Sequence, residues 1–386
     1  MRPQRIDAVS PNSIAVAGMA ARGENRRVKT LRFFVDQDHL SSASAGEALD
    51  QAAEILRTGG LVALPTETVY GLGANALDKD AVERIFEAKR RPSWDPVIVH
   101  VASAATLEGL VEQVPEAARE LMAAFWPGPL TLLLRRTAAL PDVVTAGRPL
   151  VGVRMPAHPV ALQVIGRAGV PVAAPSANLF GHISPTTAQH VLDDLDGRID
   201  AVVDAGPTAH GVESTVLDPA RSPMVIYRLG AVTAEQICAV AGRVEVFRAG
   251  PELVETPVEA LPSPGVGLRH YAPKARLVLV EGPLNSLDCR LAEAASMWPG
   301  ERLGLLLPNE LAGGCGVEGA RVYVWGRWDA PEEMAHELYA GLRALDAAGC
   351  TVILCAAPPE DGIGAAIRDR LHKAAHRPGQ QSKPGC

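Results

Sequence analysis

The residues best suited to chemistry are hydroxyls, small residues and cations gathered at the ends of apolar runs. Pro65-Thr66-Glu67-Thr68-Val69-Tyr70-Gly71-Leu72-Gly73 follows directly on the apolar run Leu61–Leu64. Hydroxyls and glycines at the carboxyl end of a strand are where open α/β sheets bind ligands, although an ordinary polar turn also fits this segment taken alone. Lys89-Arg90-Arg91-Pro92 sets three cations at a helix end, with Asp95-Pro96 just beyond and His100 on the next apolar run. The helix dipole accounts for one such cation; three stopped by proline suit an anion clamp. Pro175-Ser176-Ala177-Asn178 leads through Gly181 to Ser184-Pro185-Thr186-Thr187, which reads as the opening of a helix with Ser184 as N-cap and Pro185 at the first turn. Amides and hydroxyls at a helix N-terminus form a phosphate site, and plain capping by Ser184 is the simpler alternative. Glu213-Ser214-Thr215 enters a further apolar run. Arg154 and Arg228 each lie near the end of one, where a cation is unwelcome unless paired or liganded.

Lys89, Arg91, Arg154 and Arg228 together have the charge to neutralise a polyphosphate and a carboxylate. The 386 residues carry 37 Lys+Arg against 44 Asp+Glu, a net charge of −7. A basic cluster in an acidic chain points to a local anionic substrate, and away from stable nucleic-acid binding or an anionic membrane surface. Five Trp, five Tyr and six Phe are few for a platform of stacked bases. No GxxxxGK[ST], GxSxG or HExxH occurs. What remains is chemistry by positioning and charge stabilisation, as in transfer to a nucleotide phosphorus. The six cysteines, Cys238, Cys289, Cys315, Cys350, Cys355 and Cys386, make no CxxC pair, which disfavours a zinc ribbon and fits a reducing cytoplasm. No apolar run approaches the ~18 residues of a membrane span.

The elements that must position these residues are those of an α/β protein. Ser44 and Glu47 form a capping-box pattern for a helix stopped by Gly59-Gly60. Asp78 or Asp80 caps a helix whose Val82, Ile85 and Phe86 share one face. Strands are expected at 61–64, 97–101, from 130, at 151–154, 172–174, 201–204, 214–217 and 225–228, with a helix at 115–125, giving a twisted mixed sheet. Positions 1–28 read as an N-terminal tail, 29–247 as the catalytic domain, and the proline-rich 248–274 as a linker, its stretch 263–273 as a lid. Positions 275–376 read as a small C-terminal Rossmann-like domain with a parallel sheet, having strands at 277–280, 303–307, 322–325 and 351–355 and helices at 331–347 and up to about 375. Positions 377–386 read as a tail.

Taken in order, Pro65–Leu72, Lys89/Arg91, Ser176-Ala177-Asn178, Ser184-Pro185-Thr186, Glu213-Ser214-Thr215-Val216 and Ser263-Pro264-Gly265…His270-Tyr271-Ala272-Pro273 resemble the threonylcarbamoyl-AMP synthases, the YrdC-like enzymes of tRNA modification, in their two-domain form. The resemblance implies a nucleotidyltransferase. L-threonine and bicarbonate give an N-carboxy-threonine, which attacks the α-phosphorus of ATP with Mg²⁺, and other proteins pass the threonylcarbamoyl group to tRNA. It also implies that Thr68, His100, Arg154, Ala174 and Ser214 contact threonine, and that Arg91, Asp95, Leu150, Ser176, Ser184, Arg228 and Tyr271 contact ATP. Lys89 is implied to position phosphate or bicarbonate, so that Lys89 and Arg91 serve catalysis without a covalent nucleophile. Loss of Arg91 or Arg154 is expected to spare folding, because neither empties an apolar core. An RNA-binding module and a carbamoyl-adenylate-forming maturation factor are the competing readings. The first is disfavoured by charge, the second by the absent CxxC pairs.

Overall fold

The computed structural model describes residues 29–247, 271–313 and 315–376. The expected tails, and most of the linker, lie outside these residues. In the first unit the strands are β1 (Leu31–Phe34), β2 (Val62–Leu64), β3 (Gly71–Asn75), β4 (Ile98–His100), β5 (Leu130–Arg135), β6 (Leu150–Arg154), β7 (Val172–Ala173), β8 (Ala201–Asp204), β9 (Thr215–Asp218), β10 (Met224–Arg228) and β11 (Val244–Val246). They form one sheet in the order β1-β8-β2-β3-β7-β4-β6-β5-β9-β10-β11. Pairing is mixed: β4 runs parallel to β6, while β7 lies antiparallel to both β3 and β4.

Alternation along the strands decides what covers each face. Leu61 and Ala63 point into a core with Val82, Ile85 and Phe86 of the helix Lys79–Lys89. Val62 and Leu64 point the other way, into a core with Leu49, Ala52 and Leu56 of the helix Ala43–Arg57 and Val160 and Val164 of the helix Pro159–Ala168. Helices on both faces leave the strand ends as the place where polar groups meet a ligand.

Two cap assignments from sequence are corrected. The helix Ala43–Arg57 is capped by Ser42, whose extended backbone (ψ 148°) lets its hydroxyl accept from the Ala45 amide, whereas Ser44 already lies inside the helix. Nor does Ser184 open a helix. The helix Ala188–Leu195 is capped by Thr187, whose hydroxyl accepts from the His190 amide at 3.2 Å. The helix Lys79–Lys89 is capped by Asp78 and ends at Arg90 in the left-handed region, φ 52°.

In the second unit β12 (Arg276–Val280), β13 (Leu303–Leu307), β14 (Arg321–Val324) and β15 (Val352–Ala356) form an all-parallel sheet in the order β12-β15-β13-β14. The helices Pro331–Ala347 and Ile363–Ala375 pack together on one side of it. That apolar core does not stop at the unit boundary: Val69, Ile183 and Val212 of the first unit pack into it beside Met334 and Tyr339. A Cβ at Gly211 (φ 69°) would collide with the carbonyls of Ala335 and His336, so the backbones approach to a distance only glycine allows.

Candidate active site

A cleft of about 550 Å³, its open mouth included, lies at the strand ends. His100 ends β4 and pairs in register with Arg154 at the end of β6. Ala174 follows β7, Ser214 precedes β9, and Arg228 closes β10. Thr68, Arg91, His100, Arg154, Ala174, Ser176, Ser214, Arg228 and Tyr271 all line this one cleft. Residues spread over two hundred positions of sequence are thus brought together. Lys89, Asp95, Leu150 and Ser184 are not in its lining.

Each of those four has a defined place. The Lys89 side chain is buried and its Nζ donates to the carbonyls of Ser176, at 2.5 Å, and Asn178. Burial, and then the charge of Arg91, push its pKa well below the ordinary value. Lys89 ties the Ser-Ala-Asn turn to the helix end. Asp95 holds Arg91: Oδ2 lies 2.9 Å from Nη2, while Arg91 also donates to the carbonyls of Asp95 and Pro96. Leu150 lines a separate small cavity with Pro96 and Thr145. Ser184 donates to Glu213 Oε1 at 2.7 Å.

Two carboxylates that lie within the sequence motifs but are given no role of their own there stand among the cations. Glu67 Oε1 lies 2.7 Å from Arg154 Nη2, close enough for an ion pair though not aligned as a hydrogen bond. Burial pushes its carboxyl up, and the Arg154 charge outweighs this and holds it below the ordinary value. Glu213 accepts from Ser184, Tyr339 and Arg370. Burial again works upward, but the guanidiniums of Arg370 and Arg228 bring it down to about 2. The only available signal was adjacency, since both flank a residue already singled out. Their partners lie 87 and 157 positions away. A Cβ at Gly230 would strike the Glu213 carbonyl, so glycine is required for β10's exit to pass this segment.

The hydroxyls are ordered by these neighbours. Thr66 Oγ1 can only donate to the Val69 carbonyl, 2.6 Å away, so Thr68 is the donor in the 2.8 Å bond between the two threonines. Arg154 Nη1 donates to Thr68 Oγ1 at 3.0 Å. Thr68 therefore offers the cleft a lone pair. His100 is fully enclosed, and burial, followed by the Arg154 charge, lowers it to about 3, so it is neutral at physiological pH. Arg228 donates to Ser214 through Nε to the carbonyl and Nη2 to Oγ, each at 3.0 Å. The cleft thus combines fixed guanidiniums and oriented hydroxyls, backed by carboxylates already neutralised by arginine, which is an arrangement for binding anions.

Fold and cleft define an α/β protein that binds small anionic substrates where two units meet. Residues 54–230 match the model of the Sua5, YciO and YrdC proteins described as "Telomere recombination", and residues 232–376 that of "Threonylcarbamoyl-AMP synthase, C-terminal domain". The chain is 43% identical over 326 residues to the threonylcarbamoyl-AMP synthase of Pyrococcus abyssi, covering 84% of this chain and 93% of that one. To its Bacillus subtilis counterpart it is 47% identical over 350 residues, covering 90% and 98%. The crystal structure of Pyrococcus abyssi Sua5 complexed with L-threonine superposes with a TM-score of 0.81 at 41% identity, over 90% of this chain and 98% of that one. The chain belongs to the threonylcarbamoyl-AMP synthase family.

Proposed function

We propose that this protein is an L-threonylcarbamoyladenylate synthase, a nucleotidyltransferase that joins L-threonine, bicarbonate and ATP. The observation that carries the proposal is the convergence of Arg91, Arg154 and Arg228 with Thr68, His100 and Ser214 on one cleft, in a chain of this family. The amino nitrogen of threonine bonds to the carbon of bicarbonate, and water leaves. A carboxylate oxygen of the resulting carbamate then bonds to the α-phosphorus as its bond to the bridging oxygen breaks, releasing pyrophosphate. No side chain becomes covalently attached.

The roles follow from place and polarity. Arg154, the Thr68 lone pair, neutral His100 and Ser214 serve the amino acid beside the Ala174 backbone. Arg91, Ser176, Arg228 and Tyr271 serve ATP. Asp95 acts through Arg91, Lys89 through the turn carrying Ser176, and Ser184 through Glu213; in this reading none of the three touches substrate. Glu67 and Glu213 are both engaged by arginines, so no side chain is assigned to the Mg²⁺ expected with ATP, which would supply neutralising charge for the departing pyrophosphate.

No described helix is long and apolar enough to cross a membrane. We place the protein in the cytoplasm, where other proteins transfer the threonylcarbamoyl group to tRNA. The test is pyrophosphate release by the purified full chain with ATP and Mg²⁺. Release should require both L-threonine and bicarbonate. Release indifferent to threonine would remove the proposal.

A further inference from the structure

Thr131 lies on β5, in the strand beside the one that Ser214 enters. It is fully buried and is not in the lining of the cleft. Its hydroxyl stands 2.8 Å from Ser214 Oγ, and among the described residues this is the only hydrogen bond the structure gives it.

The proton positions follow from counting. A hydroxyl has one proton to donate and two lone pairs. Arg228 can only donate, so one lone pair of Ser214 is taken by Nη2. If Ser214 also donated to Thr131, the threonine's own proton would be a buried donor with no acceptor, which is costly. If Thr131 donates to Ser214, the proton that lies away from the cleft is satisfied, and the one left over belongs to Ser214, which lines the cleft. Both lone pairs of Ser214 are then occupied, and its proton has only the cleft to point into.

We propose that Thr131 is a positioning residue: its buried hydroxyl turns Ser214 into a fixed donor toward an acceptor oxygen of the amino-acid substrate, a carboxylate oxygen. This rests on the reading of the cleft as a threonine site. At Thr68, which lines the same cleft, the polarity is reversed, because Thr68 has spent its proton on Thr66 and offers a lone pair. One hydroxyl accepts and the other donates, so an amino acid is held in one orientation, its acceptor at Ser214 and a donor at Thr68. A serine free to rotate would accept either end.

The experiment is steady-state pyrophosphate release by full-length wild type, Thr131→Val, Thr131→Ser, Ser214→Ala and the Ser214→Ala/Thr131→Val double variant. Valine keeps the shape of threonine and removes only the hydrogen bond. Thr131→Val should raise KM for threonine about tenfold with KM for ATP within twofold, and Thr131→Ser should restore it. In the Ser214→Ala background the valine should add nothing, since Thr131 acts only through Ser214. That double variant places two apolar groups together, so it decides the matter even if the single valine variant does not fold. An unchanged KM in Thr131→Val, or a double variant distinctly worse than Ser214→Ala alone, overturns the proposal. Wild type lacking threonine-dependent release would instead overturn the functional reading beneath it.

Discussion

Arg370, in the last helix of the C-terminal unit, donates to Glu213 Oε2 at 2.8 Å and to the Leu229 carbonyl at 2.7 Å. Glu213 immediately precedes Ser214, and Leu229 immediately follows Arg228. One guanidinium from the second unit thus clamps the two backbone segments whose next residues meet in the cleft. The C-terminal unit is part of the site's construction and not an appendage to it.

Arg370→Met should therefore cost both stability and activity. Breaking a buried ion pair from one side is worth about 3–5 kcal/mol, because the remaining charge is stranded. Thermal unfolding should show that loss, and Arg370→Met/Glu213→Gln should recover much of it while activity stays low. Glu213 also gives a pH signature. Its carboxyl is held at about 2, below its ordinary 4.5, so its contribution is fully present above about pH 4.5 and fades as pH falls toward 2. The stability gap between wild type and Glu213→Gln should narrow across that window. A gap that stays constant would contradict the pairing.

Replacing Arg91 or Arg154 with alanine should lower turnover about 100-fold or more, since each loses charge-assisted contacts in an enclosed site. The expectation that folding would be untouched is revised by the structure. Arg154 pairs with buried Glu67 and Arg91 with buried Asp95, so each alanine also deprives a carboxylate of a counter-ion. Arg154→Ala/Glu67→Gln should melt higher than Arg154→Ala and remain inactive. Recovered turnover in that double variant would mean that Arg154 serves only to neutralise Glu67.

Ser214→Ala and Thr68→Val should raise KM for threonine more than KM for ATP. A site that spends oriented hydroxyls on a polar substrate rejects analogues that lack the matching group, because its own buried groups go unpaired. L-valine should thus be a poor substrate. Equal turnover of L-threonine and L-valine by wild type would contradict the assignment.

His100 should not appear in the pH profile. With its pKa lowered to about 3 by burial and the neighbouring Arg154, it stays neutral, so kcat/KM for threonine should show no ionisation belonging to it between pH 6 and 8. A break near pH 6.5 that His100→Asn removes would show that the imidazole ionises as it does in water. Stability has the opposite dependence. A histidine held neutral in the fold favours unfolding as pH falls below 6.5, and His100→Asn should flatten that part of the curve.

How much of this was legible in the sequence depended on how local the signal was. The helix Pro331–Ala347 was readable at both ends and the helix Ile363–Ala375 at its C-terminal end. The strand β3, Gly71–Asn75, contains no β-branched residue and was read as part of a binding loop, because its place in the sheet comes from pairing with β2 and β7. Ser184 resembled a cap because Ser-Pro often opens a helix. Its hydroxyl is committed to Glu213 instead, a carboxylate whose other partners lie in a different unit. The cations were visible as misfits at strand ends. Their counter-ions were not, since Glu67 and Glu213 become unusual only when distant arginines reach them.

Tyr271 provides the last prediction. The expected lid spans 263–273, of which only the final residues are described. Tyr271 is buried, lines the cleft, stacks on Tyr339 at 5.7 Å, and has the Arg370 guanidinium 5.1 Å from its ring centre. Its φ of 63° is uncommon for a side chain this large. Such a conformation persists only where its surroundings fix it, and here two residues of the C-terminal unit do so. The ring therefore joins the clamp made by Arg370 to the cleft wall, and if that wall serves ATP as proposed, its removal should affect ATP before threonine. Tyr271→Ala should raise KM for ATP at least tenfold and slow pyrophosphate release, with the threonine KM changed far less. Tyr271→Phe keeps the stacking and should retain most of the activity. If phenylalanine is as damaging as alanine, the hydroxyl and not the ring is the working group. If alanine is harmless, Tyr271 is only packing between the two units.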